Sequence, residues 1–520
     1  MGNYLTTFKI HIVKHVRKTY TFMDTSGLSE AEIKQFAGRL LEQMIPLPEE
    51  TYEWLRTMFR YVRDKDAWLV YSNATGLWHY ESDDTSLKAL LTDYFQVVYD
   101  EACAHKDEVK MMYAKTFFAI SKVEGLARRL RAGVHFLEPK ADALLEQSYH
   151  LRYFDTVEGS RALIDLSQDM FNLTEVTYAE TQDKLLMHKA PMPIAVDDAD
   201  QPTLWLSLIE QYMLGDPDKI AYFKKVLAYM MSPYNYNQVL LYWIGGEGRN
   251  GKSTVIKVIQ DILGSHAVRM DDNLINAHPA PSFKKDDALA ASEGKSLYIF
   301  NEIDERMVAS TRDIKTLTEG GRDEYGNKVM TVVRPAYSRA YEMNISGTPL
   351  IIANSLLNMG EWSNLAPIFK RLVLVSFDYV IKVEDPTILS RLAQEYPKIQ
   401  LWLYLNYFEH KGVLLKDAQR PKDFQDQYMQ YYEDSDIIKM FWEDCFVVTG
   451  NKADTIMRGT VYKMYTAYCK VNGRKPIKNK GTNGFSNLIK GYFPNVVNHN
   501  GNYMVSGVKQ SAYYTNEVIM

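Results

Sequence analysis

The sequence predicts an α/β protein with a core of buried parallel strands and helices. A mainly helical N-terminal domain precedes this core, and a basic module of helices and a hairpin follows it. Three observations predict this. Residues 239–264 pass from an apolar run, Val239 to Ile244, through a glycine loop into a helical pattern closed by Gly264. Two more short apolar runs, Ser296–Phe300 and Leu350–Ala353, end in polar residues, as buried parallel strands do at the sheet edge that meets a ligand. Finally, Thr455 to Asn516 contains no Asp or Glu, which sets the C-terminal stretch apart from an otherwise acidic chain.

Composition frames these parts. A length of 520 residues suggests about three domains, each able to bury a core. The apolar share of 46% and charged share of 24% are those of a soluble globular protein. No run reaches the about 18 apolar residues of a membrane span, and MGNYLTTFKIHIVKHVRK has no secretory pattern. Gly2 to Thr6 matches a myristoylation pattern, but so short a match is usually accidental. Cys103, Cys445 and Cys469 are widely separated, which excludes a Cys-x-x-Cys zinc site and a disulfide framework and fits a reducing compartment. His11 and His15 stand four apart, yet HIVKH lacks the glutamate of H-E-x-x-H, so a surface pair is expected rather than a metal site.

The elements follow in order. Ser29 and Glu32 form a capping box ahead of the periodic Ile33, Phe36, Leu40 and Leu41, predicting a helix. Trp68–Tyr71 and Gly76–Trp78 predict a hairpin, and helical patterns fill Ser86 to Leu145. A proline-flanked connector at 189–202 ends a domain of residues 1–200. Helices resume at Leu204–Leu214 and again from Asp216-Pro217, an N-cap and first-turn pair, to Ser232-Pro233. Residues 201–385 form the α/β domain, and 386–434 a connector with a helix at Ile388–Phe408. Residues 435–520 form the basic module: a helix over Thr460–Lys470, a turn at 472–476, a helix around Phe485–Ile489 and a hairpin at Asn498–Asn502.

The loop Ile244–Thr254, IGGEGRNGKST, fits G-x-x-x-x-G-K-[ST] from Gly246 to Ser253 in strand-to-helix context. Glycine lets the backbone wrap closely enough for its N–H groups to face a polyphosphate, and the helix start adds a positive dipole end. Lys252 then touches the β and γ phosphates, and the Ser253 hydroxyl ligates Mg²⁺, which takes oxygen ligands shared with the nucleotide. Gly246, Gly248, Asn250, Gly251 and Thr254 complete the nucleotide contacts, with ATP and Mg²⁺ as cofactors.

The run Ser296–Phe300 leads into Asn301, Glu302 and Asp304. Glu302 is the natural base for an attacking water, and Asn301 or Asp304 can assist Mg²⁺ through water. The next strand ends in Asn354, where phosphate-loop enzymes commonly place a polar group that reaches the γ-phosphate. Arg371, just before the apolar Leu372–Val375, is a candidate arginine finger. Taken singly, Asn354 reads as a turn residue and Arg371 as a surface charge.

In the C-terminal module Arg474, Lys475, Lys478 and Lys480 are candidate DNA contacts. Charge alone leaves phosphate-backbone binding and a solvated basic face equally open.

These elements together resemble the superfamily 3 helicases, and among them the phage, plasmid and poxvirus-type primase-helicases. The resemblance rests on Gly246-Glu-Gly248-Arg-Asn250-Gly251-Lys252-Ser253-Thr254 against G-x-G-x-N-G-K-S-T, and on Lys315-Thr-Leu-Thr318-Glu-Gly320-Gly321-Arg322-Asp323 against K-x-L-T-G-G-D. Two departures stand out. Many members end the acidic strand in two acids where this chain has Asn301-Glu302, which puts direct metal contact at 301 in doubt. Asp198-x-Asp200 lies in the connector, so no primase domain is expected.

The resemblance implies an AAA+-like P-loop ATPase core, a homo-hexameric ring, ATP shared between subunits, and Arg371 completing a neighbour's site. It also implies a channel hairpin within Arg322–Met343 that grips single-stranded DNA, with Tyr325-Gly-Asn-Lys328 as its turn. Tyr325 would stack on a base, and Lys328, with Lys315, would meet phosphate. The C-terminal module looks like a winged helix that binds duplex origin DNA. The expected function is an ATP-dependent replicative DNA helicase of a phage, virus or mobile element, working with a separate primase or polymerase in the host cytoplasm, bacterial by expectation. The alternatives are an ATP-dependent initiator or structural ring with little unwinding, and a protein-remodelling ATPase of related fold.

Overall fold

The computed structural model describes residues 2–43, 47–63, 65–73, 75–132, 137–138, 148–197, 201–246, 248–301, 303, 307–321, 328–336, 339–357, 368–413, 415, 420–434, 437–451, 453–471, 476, 485, 489, 496–499 and 502–511. The chain forms two compact units, one of residues 1–168, 172–193 and 331–343, the other of residues 169–171, 194–330 and 344–520. Among the described residues no helix is long and apolar enough to cross a membrane.

The first unit holds helices α1 (Gly2–Thr19), α2 (Glu30–Leu41), α3 (Glu49–Arg56), α4 (Thr85–Ala104), α5 (Glu108–Thr116), α6 (Ile120–Ala132) and α7 (Tyr178–Asp183). Ser29 caps α2 in the expected capping box. Strands β1 (Phe59–Val62), β2 (Ala67–Ser72), β3 (Leu77–Glu81) and β4 (Leu137–Glu138) form a sheet in the order β3-β2-β1-β4. The expected hairpin is present, with Tyr71 opposite Trp78. A second sheet joins β5 (Leu151–Asp155), β6 (Arg161–Asp165) and β7 (Leu173–Glu175). This part is therefore less helical than its periodicity suggests. The strands beyond the expected hairpin are β1, β4, β5, β6 and β7.

The second unit opens with α8 (Thr203–Tyr212) and α9 (Pro217–Met230). The Asp216 carboxylate accepts from the Asp218 and Lys219 amides, as the Asp-Pro pair predicts. Next come β8 (Leu240–Ile244), α10 (Lys252–Leu263), β9 (Ala267–Arg269), α11 (Lys285–Ala290), β10 (Leu297–Asn301) and α12 (Thr311–Thr318). Strands β11 (Met330–Val333) and β12 (Tyr341–Asn344) precede β13 (Thr348–Ala353) and β14 (Leu372–Ser376). The central sheet is parallel throughout, in the order β14-β8-β13-β10-β9. Strands β13 and β14 are buried at every position, which is why they read as continuous apolar runs.

The pair β11 and β12 is joined through 334–340, a connection too short for a parallel crossover, so the pair is a hairpin. It overlaps the expected 322–343 stretch; residues 325–327 of the expected turn lie outside the described residues. Residues 331–343 group with the first unit, where Arg339 pairs with Asp66 at 3.4 Å and the Lys65 ammonium lies 4.3 Å from the centre of the Tyr341 ring.

After β14 run α13 (Ile388–His410), α14 (Lys422–Asp434), α15 (Ile437–Cys445), β15 (Phe446–Val448), β16 (Thr455–Met457), α16 (Arg458–Val471), β17 (Val496–His499), β18 (Asn502–Ser506) and β19 (Val508–Gln510). The hairpin expected at 498–502 is present, with His499 opposite Asn502. Aromatic residues supply a core in this module: Tyr465 stacks on Phe485 at 4.2 Å and Phe441 packs beside both.

The segment after α12 turns on two left-handed glycines, Gly320 (φ +69) and Gly321 (φ +70). A Cβ on Gly320 would lie 2.1 Å from the Asn235 carbonyl oxygen, and one on Gly321 would lie 2.2 Å from Asn344 Oδ1. Both asparagines are buried and satisfied: Asn235 Nδ2 donates to Val239 and Thr318, and Asn344 Nδ2 donates to Gly321 and Val329. Gly215 has nearly the same φ (+68) in open space. Gly215→Ala is expected to cost the left-handed penalty alone, about 1–2 kcal/mol. Gly320→Ala adds a collision with a carbonyl held in a turn by the Gln238 amide at 3.0 Å, so its unfolding midpoint in urea should fall distinctly further. Equal midpoints would show that the Asn235 turn yields freely.

Candidate active site

Strand β8 delivers the glycine loop at its C-terminal end, and the parallel register gathers the other expected groups on the same edge. Ile244 is level with Ala353, so Asn354 emerges beside the loop, while Asn301 is level with Ile352 one strand further out. The loop needs glycine for two distinct reasons. Gly251 has φ +86 and Gly248 φ +74, a region that is sterically unfavourable for side-chain-bearing residues. Gly245 is constrained by proximity instead: a Cβ there would sit 2.0 Å from Asn250 Nδ2 and 2.8 Å from Lys252 Nζ.

Helix α10 starts at Lys252, and Val255, Ile256, Val258, Ile259, Ile262 and Leu263 are buried. All but Leu263 are β-branched and indifferent helix formers, so packing holds this helix rather than propensity, at roughly 1.5–3 kcal/mol per buried side chain. The packing fixes the helix start, and with it Lys252.

Lys252 is only 5% exposed. Its ammonium donates to the Gly245 carbonyl at 3.0 Å and to Asn354 Oδ1 at 3.3 Å. Both are neutral oxygens, and burial pushes its pKa down to about 8. A buried ammonium facing neutral oxygens in a glycine cradle is suited to an anion. Around it lies a cavity of about 1560 Å³, walled by α8 through Leu204, Leu208, Gln211 and Tyr212, by the loop from Gly248 to Thr254, and by Asn301, Ile303 and Asn354. Residues 379–391 form the remaining wall, including Tyr379, Ile381, Leu389 and Arg391. They are tied to the loop where the Ile381 amide donates to the Arg249 carbonyl at 2.8 Å and Arg249 pairs with Glu384 at 3.0 Å.

Gly248, Asn250, Gly251, Lys252, Ser253, Thr254, Asn301 and Asn354 are thus brought together. Gly246 is at the loop start but is not among the cavity-lining residues. Glu302 and Asp304 lie outside the described residues, although Asn301 and Ile303 on either side of Glu302 line the cavity. The remaining oxygen donors fit Mg²⁺: the Ser253 hydroxyl and the Asn301 amide oxygen could hold an ion that keeps several waters and shares phosphate oxygens. Among the described residues no cluster of three acids, histidines or cysteines offers a fuller protein cage.

Arg371 is elsewhere. Its carbonyl accepts from the Leu240 amide at 2.7 Å, so it is level with the start of β8, while the loop leaves the opposite end. Four residues at about 3.3 Å each separate the two edges, beyond reach of this site in the same chain. Arg371 is half-buried, and burial lowers its pKa while Glu319 partly offsets this. Lys315 is half-buried on α12, and Lys328 is likewise half-buried. Tyr325, Arg474, Lys475, Lys478 and Lys480 lie outside the described residues, as do Asp198 and Asp200. The motif reading missed Tyr212, Gln211, Tyr379 and Arg391. Gln211 and Tyr212 lie on α8, Tyr379 in the segment after β14 and Arg391 on α13, all outside the loop and strand-end motifs.

Residues 433–519 match the family described as Poxvirus D5 protein-like. No curated protein matches the chain. Among solved structures, the chain is similar to the A form apo structure of the NrS-1 C-terminal region, at 12% identity over 88% of this chain and 98% of that one, with a TM-score of 0.43. A shorter A form of that region matches at 11% identity over 69% of this chain and 96% of the other, with a TM-score of 0.34. The family match covers the C-terminal module and not the α/β core.

The lowered pKa of Lys252 sets a pH dependence. Phosphate binds the charged lysine and raises its pKa, whereas the empty site loses the proton above about pH 8. Binding therefore takes up a proton above that pH, and ADP affinity should fall there by up to about tenfold per pH unit. Calorimetric titrations between pH 7 and 9.5 check this. A flat profile would contradict the placement of Lys252 at the phosphates.

Proposed function

We propose that the chain is an ATP-dependent replicative DNA helicase of a phage, virus or mobile element, with an AAA+-like P-loop core and a winged-helix-like C-terminal module, acting as a homo-hexameric ring. The observation that carries this is the buried Lys252 ammonium, facing Gly245 and Asn354 at the glycine-loop edge of a parallel sheet. The Poxvirus D5 protein-like match at 433–519 supports the replication context.

In this reading the loop amides and Lys252 hold the triphosphate, while Ser253 and Asn301 hold magnesium, which supplies neutralisation of phosphate charge. Glu302 takes the proton from the attacking water, and Asn354 orients that water and the γ-phosphate. Arg371 serves a neighbouring subunit's site, stabilising charge on the transferred group with a planar, always-charged fork. Single-stranded DNA occupies the ring channel, and the basic C-terminal module holds duplex origin DNA.

Two measurements test the reading. ATP hydrolysis with and without single-stranded DNA, paired with strand separation, should show stimulated turnover and unwinding. Turnover without unwinding favours an initiator or structural ring, and indifference to DNA favours protein remodelling. Glu302→Gln keeps size and hydrogen bonding but removes the base, so ATP binding should persist while turnover falls by about 10²-fold or more. Loss of both would assign Glu302 a structural role.

A further inference from the structure

The aromatic face pressed on the phosphate loop comes from α8, outside every motif in the chain. Tyr212 is 3% exposed and lines the cavity. A Cβ on Gly251 would meet its ring carbons at 2.4–2.6 Å, so the ring lies directly against the left-handed glycine from which α10 begins. Its hydroxyl hydrogen-bonds with the Thr254 side chain, and burial raises its pKa. One side chain thus touches the loop on both sides of Lys252 and Ser253.

Helix α8 is itself anchored across the cavity. Pro202 at its N-cap supplies no side-chain hydrogen bond. Glu395 of α13 substitutes for it, its carboxylate accepting from the Leu204 amide at 3.1 Å and the Trp205 amide at 3.0 Å. One turn earlier in α13, Arg391 lines the cavity, as do Ile388 and Leu389. At the other end of α8, the Gln211 amide donates to the Tyr379 hydroxyl at 2.5 Å, and Tyr379 lies in the same opposite wall. The path from that wall to the loop therefore runs through Glu395, α8 and Tyr212.

We propose that Tyr212 is a positioning residue for the phosphate loop. Its ring sets the height of Gly251, its hydroxyl fixes Thr254, and α8 links both to the wall formed by residues 379–391. The inference rests on the nucleotide reading of this cavity. Displacing a loop by about 1 Å can cost up to about 100-fold in a positioned site, so losing the ring should register in ligand affinity and not only in stability.

The test is ADP affinity of the full chain, by calorimetry, for the wild type, Tyr212→Ala, Tyr212→Phe, Thr254→Val and Lys252→Ala, with ADP-free melting temperatures alongside. Tyr212→Ala should weaken ADP by about tenfold or more. Tyr212→Phe keeps the ring and loses one hydrogen bond, so about threefold to tenfold is expected, with no further loss on adding Thr254→Val. Wild-type ADP affinity in a folded Tyr212→Ala overturns the proposal. Should Tyr212→Ala not fold, fully additive losses from Tyr212→Phe and Thr254→Val overturn it. Lys252→Ala separates the two levels: if it too binds ADP like the wild type, the nucleotide reading itself falls, whereas its loss beside an unaffected Tyr212→Ala removes only the role of Tyr212.

Discussion

The core of this protein is organised around one costly arrangement, an ammonium buried against neutral oxygens. Lys252 donates to Gly245 and Asn354 and has its pKa pushed down to about 8. Among the described residues these two partners of the ammonium are neutral oxygens, an unfavourable burial that the surrounding structure must hold in place. Parallel strands buried on both faces provide that rigidity, and the β-branched face of α10 locks the helix that carries the lysine. In the proposed reading, an arriving phosphate supplies negative charge to this ammonium.

A second constraint lies away from the loop, where Gly320 and Gly321 turn against Asn235 and Asn344. Asn235 joins Val239, just before β8, to Thr318 at the end of α12, and Asn344 joins β12 to Gly321 and Val329. Arg371 sits level with the start of β8, not with the loop. The sheet thus has two distinct edges, one carrying the glycine loop and one bearing Arg371. A single chain cannot bring them together, which is the physical ground for reading the site as shared between copies.

Much of the α/β core was legible because its signals are local. The strand-loop-helix pattern around Lys252, the Asp216-Pro217 start and the Asn354 strand end each depend on neighbouring residues and survive in the structure. The walls of the cavity were not legible. Tyr212 meets Gly251 only through tertiary packing of α8, and in sequence it reads as one more apolar position on an amphipathic helix. In the N-terminal part the hairpin of β2 and β3 was legible, whereas β1, β4 and the sheet of β5, β6 and β7 were not read as strands. The β11 and β12 pair overlaps the stretch expected to hold a hairpin, while of the expected turn at 325–328 only Lys328 is among the described residues.

The most direct test of the account mixes two variants, each predicted to be inactive alone. Arg371→Ala leaves the phosphate loop intact, and Lys252→Ala leaves the finger intact. In mixed rings some interfaces pair a native loop with a native Arg371, so ATPase activity should reappear above the sum of the separate variants. Absence of any recovery, under conditions where labelled subunits demonstrably exchange, would contradict a site completed across the ring.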